Sequence, residues 1–198
     1  MRIVQADWVL PGDAPPIADG AVVLEDDGTV VRVGRASDIA GGERVRGLVM
    51  PGLVNAHTHL ELSALRGRVP GGGGFLPWVE RLIGARVELD PSEEEAAIDA
   101  AVRELRAAGT VAVGEVTNSL AAVVPLARAG IVGSIFHEVF GQDLARLRER
   151  VSGLEAELDE RVPSWPSPEL AYAPAPHTLY TLHLEVVRMI TAECRARG

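Results

Sequence analysis

The sequence predicts an α/β protein: a small N-terminal β-sheet domain followed by about the first four strand–helix units of a (β/α)8 TIM-type barrel. Residues 1–50 contain short apolar runs between turn signals, without a helical spacing. From residue 51 onward, apolar strands alternate with helices, which is typical of a parallel sheet with right-handed crossovers. We therefore assign residues 1–50 to a β domain and residues 51–198 to the first half of a barrel.

The β domain begins with an apolar run that ends at residues 11–13, where Pro, Gly and Asp form a turn signal. Two further runs flank Asp26-Asp27-Gly28-Thr29, whose turn chemistry predicts a hairpin. A short last run precedes Pro51-Gly52. The predicted strands are residues 3–10, 21–24, 30–33 and 48–50.

In the barrel half, capping residues mark the helix boundaries. Asp90 as N-cap and Pro91 at the first helical position predict a helix start, and Gly109 lies just past the expected end. Gly130 ends the next helix in the same way. The predicted strands are residues 53–57, 111–116, 131–136 and 170–173, and the predicted helices are residues 75–86, 91–105, 120–129, 143–158 and 184–197.

A complete eight-unit barrel needs about 250 residues, so four units in a chain of 198 residues predict half a barrel. An open doubly wound sheet is the competing architecture. Its nucleotide-binding versions are disfavoured, because the first strand–helix turn lacks a G-x-G-x-x-G or G-x-x-x-x-G-K-[ST] motif. Half a barrel leaves strand edges unpaired, so assembly into a homo-oligomer is left open.

Composition excludes several classes of function. The apolar fraction of 47% is ample for a core, and the formal charge of -9 comes without a clustered basic segment, so nucleic acid is not an expected partner. The chain has no lysine, and its single cysteine, Cys194, has no intrachain disulfide partner. No secretory signal pattern and no run of roughly 18 apolar residues is present, so a cytoplasmic protein without a membrane partner is expected.

The strongest chemical signal is the segment from Pro51 to Leu60, which places His57 and His59 at the end of a predicted strand. Side chains two residues apart on a strand point to the same face. At the carboxyl end of a barrel strand that face is the interior, where barrel enzymes carry their active sites. Neutral imidazole is the commonest protein ligand of zinc, so the pair predicts part of a divalent metal site. Two merely hydrogen-bonded histidines are the alternative.

The motif P-G-L-V-N-A-H-T-H-L after an N-terminal β segment resembles the amidohydrolase superfamily, and within it the deaminase and chlorohydrolase-like group. The resemblance extends over the whole chain. It implies that His57 and His59 bind a catalytic divalent metal, usually zinc and sometimes iron, and that residues 1–50 are the N-terminal part of a composite β-sandwich. The string from His57 to Ser63 is similar to the aminodeoxyfutalosine deaminase-like branch, which implies an adenine-bearing nucleoside as substrate.

Two further residues are predicted to bind substrate. Glu61 continues the period-two face of the histidines, so we expect it to accept a hydrogen bond from the substrate; a solvated loop carboxylate is the alternative. His177 follows the fourth barrel strand in a segment similar to the A-P-H-x-x-Y segment of these deaminases, which implies a substrate contact. A loop histidine bonded to backbone is the alternative there.

Four other ionisable residues receive no catalytic role. Glu115, His137 and Glu138 fall near the carboxyl ends of the second and third strands, where lining a pocket, supporting it from behind and simple solvation are equally plausible. His183 lies at the start of the last helix, where we expect a structural role.

The resemblance also implies what the chain lacks. In the family a third metal-ligating histidine and a proton-shuttling glutamate follow the fifth strand, another histidine follows the sixth, and an aspartate follows the eighth. We therefore expect the general acid–base groups beyond residue 198, and a fragment that is inactive alone. The predicted function is metal-dependent C–N hydrolysis, namely deamination of an aminated purine or nucleoside-type small molecule. Hydrolysis of a cyclic amide or C–Cl bond, and a non-catalytic half-barrel binding or assembly module, are the alternatives.

Overall fold

A computed structural model describes residues 1–196 of the chain. The chain forms two compact units that divide after Gly52. The first contains a small mixed sheet, and the second contains a four-stranded parallel sheet with helices. The predicted fold class is thereby confirmed: the architecture is that of an α/β protein with a partial barrel. No helix among residues 1–196 is long and apolar enough to cross a bilayer.

The first unit is a mixed sheet with the strand order β3-β2-β1-β4, in which only β1 and β4 run parallel. The hairpin predicted around Asp27 is present. Within its turn the Asp27 side chain accepts a hydrogen bond from the Thr29 N–H at 2.8 Å. Gly28 provides the positive φ of 91° that this turn requires. The strands are β1 (Arg2–Val9), β2 (Ile17–Leu24), β3 (Val30–Arg35) and β4 (Glu43–Val49).

Two strands of the first unit are longer than their apolar runs predicted. β2 begins at Ile17, before the predicted run at 21–24, because it pairs with the full length of β1. β4 covers Glu43–Val49, although only residues 48–50 were predicted. Its first half carries charged residues, and Arg44 forms ion pairs with Asp7 of the neighbouring β1 and with Asp19 of β2. Exposed strands of this kind lack the apolar alternation on which the prediction relied.

The second unit is a parallel sheet with the strand order β5-β6-β7-β8, so each strand pairs with the next one in the chain. Its strands are β5 (Leu53–Thr58), β6 (Thr110–Thr117), β7 (Val132–Val139) and β8 (Leu170–Pro176). Its helices are α1 (Phe75–Val87), α2 (Pro91–Ala107), α3 (Val123–Arg128), α4 (Leu144–Arg161) and α5 (Leu184–Ala196), and a 3-10 helix spans Leu60–Leu65.

The helix boundaries follow the capping signals closely, with one exception. The Asp90 side chain accepts a hydrogen bond from the Ser92 N–H at 2.8 Å and so caps α2. α3 begins only at Val123, three residues later than predicted, because Leu120 adopts a positive φ of 59° that a helix cannot contain. The last predicted helix is present as α5; its predicted final residue, Arg197, lies outside the described residues.

The two faces of the parallel sheet have different neighbours. Val113 of β6 and Ile135 of β7 belong to an apolar core with residues of α2 and α3, including Ile98 and Leu126. Because strand side chains alternate, residues 113, 115 and 117 of β6 and residues 135 and 137 of β7 share this helix face. The residues between them face the opposite side of the sheet, which we call the inner face.

Candidate metal centre

His57 and His59 lie side by side at the carboxyl end of β5. His57 belongs to the strand, and His59 is the N-cap residue of the following 3-10 helix. Their Nε2 atoms are 3.2 Å apart, and their ring planes meet at 68°. His57 is exposed and His59 is half-buried, so both nitrogens are accessible from one side. This separation fits both a direct hydrogen bond between the two rings and two imidazoles that share a cation.

The separation of the two nitrogens fits a shared divalent cation. In tetrahedral zinc sites the Zn–N distance is about 2.0–2.1 Å, which places two ligand nitrogens roughly 3.3–3.4 Å apart. Partial burial lowers the pKa of His59, against the opposing effect of the Glu138 carboxylate, and this favours the neutral imidazole that a metal requires. No third histidine, cysteine, aspartate or glutamate among residues 1–196 completes a metal-binding group. Among residues 1–196 the histidine pair is therefore the candidate for two of the ligands.

A cavity of about 340 Å³ opens beside the histidine pair on the inner face of the sheet. This volume lies within the range of about 300–1,000 Å³ that small-molecule sites occupy. The side chains come from the carboxyl ends of all four parallel strands, where α/β proteins bind ligands. The lining residues are His57, His59, Val116, Phe136, Glu138, Ala175, Pro176, His177 and Thr178.

His177 lies in this cavity with the histidine pair. Its backbone N–H donates to the Val139 carbonyl at 3.0 Å, which ties the segment after β8 to the end of β7. Its Nδ1 is 2.8 Å from the Thr181 hydroxyl. Its Nε2 has no hydrogen-bond partner among residues 1–196, so this nitrogen is available to a ligand.

Glu61, by contrast, does not line the cavity. The chain leaves the extended conformation after Thr58 and enters the 3-10 helix, so the period-two alternation on which the prediction depended ends before Glu61. The Glu61 side chain is only 2% exposed and forms an ion pair with Arg86. It also accepts hydrogen bonds from four groups at 2.7–3.2 Å: the Thr117 hydroxyl, the Asn118 N–H, and the N–H and hydroxyl of Ser119. Its contacts are therefore internal to the protein, and the solvated alternative is wrong as well.

Three of the four residues without an assigned role lie on the two faces of the sheet, and the fourth, His183, lies at the start of α5. Glu138 is half-buried and lines the cavity with the histidines. Glu115 and His137 are completely buried on the helix face. His183 is exposed, and its Nδ1 accepts a hydrogen bond from the Glu185 N–H at 3.3 Å at the start of α5. This position agrees with the structural role expected for His183.

Burial strongly shifts the pKa values of Glu115 and His137, the two ionisable groups on the helix face. Desolvation raises the pKa of Glu115 to about 8, and the nearby Glu61 charge adds to this effect. Desolvation, together with the Arg150 and Arg161 charges, lowers the pKa of His137 to about 4. His137 is held between the Tyr172 hydroxyl at Nδ1 and the Arg150 guanidinium at Nε2, where the guanidinium donates to a neutral ring. Both groups are therefore uncharged near pH 7.

The fold and the site place this chain in the (β/α)-barrel class, with a ligand cavity at the carboxyl ends of the strands. Residues 48–198 match the Amidohydrolase family, and the chain belongs to this family. The superfamily predicted from the histidine motif is thereby confirmed.

The chain is similar to deaminases over most of its length. It is 30% identical over 190 residues to a 5-methylthioadenosine/S-adenosylhomocysteine deaminase of Halobacterium salinarum, which covers 90% of this chain and 42% of that protein. It is 29% identical over 98 residues to an aminodeoxyfutalosine deaminase of a Nitratiruptor species, or 50% of this chain and 24% of the relative. The chain thus spans less than half the length of these curated relatives.

Solved structures share the fold. The aminofutalosine deaminase of Helicobacter pylori in complex with methylthio-coformycin superposes with a TM-score of 0.78 at 22% identity, over 100% of this chain and 49% of that one. An adenosine deaminase from Xanthomonas campestris with bound zinc gives a TM-score of 0.72 at 22% identity, over 98% of this chain and 47% of that one. At this level of identity the likeness demonstrates the fold alone.

Proposed function

We propose that the chain supplies the histidine pair of a metal-dependent deaminase that removes an amino group from a purine or purine nucleoside. One observation carries the proposal: two imidazole nitrogens lie 3.2 Å apart at a cavity lined from the ends of all four parallel strands. The names of the curated relatives support deamination over C–Cl hydrolysis. We propose zinc as the metal, with iron as the alternative, and the zinc-bound neighbour supports this choice.

The cavity residues suit a purine in chemistry as well as in size. Val116 and Phe136 form an apolar wall against which a flat heteroaromatic ring can pack. Glu138 offers a carboxylate acceptor for substrate N–H or O–H groups, and His177 offers its Nε2. His57 and His59 would hold the metal through their Nε2 atoms. We assign no general acid or base among residues 1–196.

When bound, a divalent metal lowers the pKa of its coordinated water from 15.7 to about 7 and so supplies hydroxide near neutral pH. The chain's own contribution is to orient the substrate. The walls of the cavity exclude water from one side of the ring, and the polar groups of Glu138 and His177 restrict its rotation. Glu61 is proposed to act indirectly, by holding the segment after the histidine pair, because its oxygens are occupied by protein donors.

The test is an assay of the zinc-loaded chain for ammonia release from adenine nucleosides and for chloride release from chlorinated triazines, together with calorimetric binding of each compound. Ammonia release supports the proposal, and so does nucleoside binding that is weakened about tenfold in His177→Ala. Chloride release contradicts it. Absence of nucleoside binding by a folded, zinc-loaded chain contradicts it as well.

A further inference from the structure

Glu115 is a buried carboxyl group with an unusual set of partners. It lies on the helix face of β6 and is completely buried. Its Oε1 accepts a hydrogen bond from the Leu60 N–H at 2.9 Å, while its Oε2 has no partner among residues 1–196. Burying an acidic group with half of its hydrogen-bonding capacity unused is costly, so the group requires an explanation beyond packing.

The hydrogen bond from Leu60 lies immediately next to the histidine pair. Leu60 follows His59 in the chain and is the first residue of the 3-10 helix that begins where β5 ends. The first N–H groups of a helix have no partner within it, and an N-cap side chain commonly reaches those of the second and third residues rather than that of the first. Here the N-cap residue is His59, and its side chain makes no capping hydrogen bond. The carboxyl of Glu115, from the neighbouring strand, provides an acceptor instead.

The same short turn is anchored on both sides of this hydrogen bond. The Leu60 side chain is 3% exposed and belongs to the main apolar core of the second unit. The next residue, Glu61, is tied to the end of β6 through the Thr117 hydroxyl at 3.0 Å. β5 and β6 are also paired directly, with Thr58 opposite Glu115. The Glu115–Leu60 bond is thus one of several contacts that hold the backbone after His59, and it is the one made to the Leu60 amide.

From this geometry we propose that Glu115 is a positioning residue, which holds the Leu60 amide and thereby fixes the direction in which the His59 imidazole faces His57. The inference rests on the proposed metal role of the histidine pair. Groups that support metal ligands from behind commonly change metal affinity by 10- to 100-fold when they are removed.

Two further facts support a neutral, hydrogen-bond-accepting carboxyl. Desolvation raises the pKa of Glu115 to about 8, so the group is mostly protonated at pH 7. Neutralisation removes the full charge that a carboxylate would leave in the core, although the proton finds no acceptor at Oε2 among residues 1–196. Glutamine, which is neutral and has an amide oxygen at the same position, is therefore a close substitute for the function proposed here.

The experiment measures zinc affinity of the folded chain by competition with a chromophoric chelator, and the thermal midpoint of each variant is recorded alongside. We expect Glu115→Leu, which removes the acceptor, to bind zinc 10- to 100-fold more weakly than the unmodified chain. We expect Glu115→Gln to stay within about threefold of it, because the acceptor is retained. Thr110→Val, which removes a buried polar group from the opposite end of β6, should leave zinc affinity unchanged.

A second pair of variants removes the donor and leaves Glu115 intact. Leu60→Pro and Leu60→Ala both lose the buried leucine side chain, but only the proline variant lacks the N–H group. Proline is tolerated at the first position of a helix. We expect Leu60→Pro to bind zinc at least tenfold more weakly than Leu60→Ala. Equal affinities of these two variants count against the role even where Glu115→Leu fails to fold, whereas a loss in Leu60→Pro also reflects the restriction that proline puts on the His59 backbone.

The outcomes separate this inference from the proposed function. If the unmodified chain binds zinc no better than His57→Ala, the metal pair itself is refuted, and the role of Glu115 with it. If the unmodified chain binds zinc through His57 but the folded Glu115→Leu chain binds equally well, only the positioning role is refuted. Equal affinities of Leu60→Pro and Leu60→Ala refute it too, and so does a glutamine variant as weak as the leucine variant.

Discussion

The two faces of the parallel sheet treat their ionisable side chains in opposite ways. On the inner face, His57, His59 and His177 are exposed or half-buried and keep ring nitrogens available. On the helix face, Glu115 and His137 are fully buried, and burial holds both in the neutral form. Glu61, equally buried, is held as an ion pair with Arg86. The difference teaches that side chains open to a ligand lie at the cavity, whereas ionisable groups buried behind the sheet can act on the site only through contacts within the protein.

The largest effect is expected for the buried ion pair between Glu61 and Arg86. Replacing Arg86 by methionine leaves the Glu61 carboxylate buried without its countercharge, which should lower the free energy of unfolding by about 3 kcal/mol. We choose the lower end of the range for broken buried pairs because the Arg86 side chain is 33% exposed. Urea denaturation followed by circular dichroism measures the change.

The matched control is Arg66→Met, which breaks a fully solvated pair with Glu104. Exposed surface pairs contribute little to stability, so this variant should be close to the unmodified chain. Equal losses of unfolding free energy in the two variants would contradict the view that burial makes the Glu61–Arg86 pair more important than an exposed pair.

The second prediction concerns the close approach of the β5 and β6 backbones. A Cβ atom on Gly114 would lie 2.3 Å from the Ala56 carbonyl oxygen, directly before His57, so β5 must move to admit any larger residue. Gly114→Ala should destabilise the chain by about 1–3 kcal/mol, as overpacking typically does. It should also weaken zinc binding, because the displaced segment carries the histidine pair.

Gly153→Ala provides the contrast in the same unit. Gly153 lies within α4, and an added Cβ would meet nothing within 4 Å. Alanine is the better helix former, so this change should stabilise the chain by about 0.5–1 kcal/mol without any effect on zinc. If Gly114→Ala is equally harmless in calorimetry and zinc titration, the close approach of β5 and β6 is not as described.

The helix face also predicts a pH dependence of stability. The pKa of Glu115 is raised to about 8 in the folded chain, so the folded state retains a proton that the unfolded state releases above about 4.5. Stability from this group is full at low pH and is lost as the pH rises toward 8. His137 acts in the opposite direction, because its folded pKa of about 4 lies below the ordinary value of 6.5; its contribution is lost as the pH falls from 6.5 to 4.

Between about pH 4.5 and 6.5 the effects of Glu115 and His137 on stability change with pH in opposite directions. From pH 6.5 to 8 only the contribution of Glu115 changes. In that upper window the free energy of unfolding should fall by up to about 1.4 kcal/mol per pH unit. Denaturant titrations at pH 6.5, 7.2 and 8 measure the slope. Glu115→Gln should be flat over this window; an unchanged slope in that variant would assign the titration to another group.

Local signals in the sequence predicted much of the fold. The cap at Asp90 and the glycine at Gly109 located α2 to within two residues, and the apolar runs identified every strand of the parallel sheet. The length of β4 was underestimated because its first half is charged. That half is a strand because it pairs with β1, and it carries no apolar alternation from which a strand could be predicted. The length of α3 was overestimated because Leu120 adopts a positive φ, which a leucine in the sequence does not indicate.

In the site, too, features set by local sequence were predictable and features set by distant residues were not. The convergence of His57 and His59 follows from strand alternation, which is local, and so it was predictable from spacing. The burial of Glu61 depends on Arg86, which lies 25 residues away, and that of Glu115 on the 3-10 helix 55 residues before it. Nothing in the spacing of these residues indicates such long-range partners. A carboxyl residue inside an otherwise apolar strand, as at Glu115, was the one available signal.

The central claim is that the inner face presents two imidazoles to one cation, and a zinc titration of the folded chain tests it most directly. The account predicts zinc binding by the unmodified chain and a loss of roughly 100-fold or more in His57→Ala, since removal of a ligand should exceed the effect of removing a group behind it. His183→Ala, which removes an exposed histidine from the start of α5, should bind zinc as the unmodified chain does. Equal zinc binding by the unmodified chain and by His57→Ala would contradict the account.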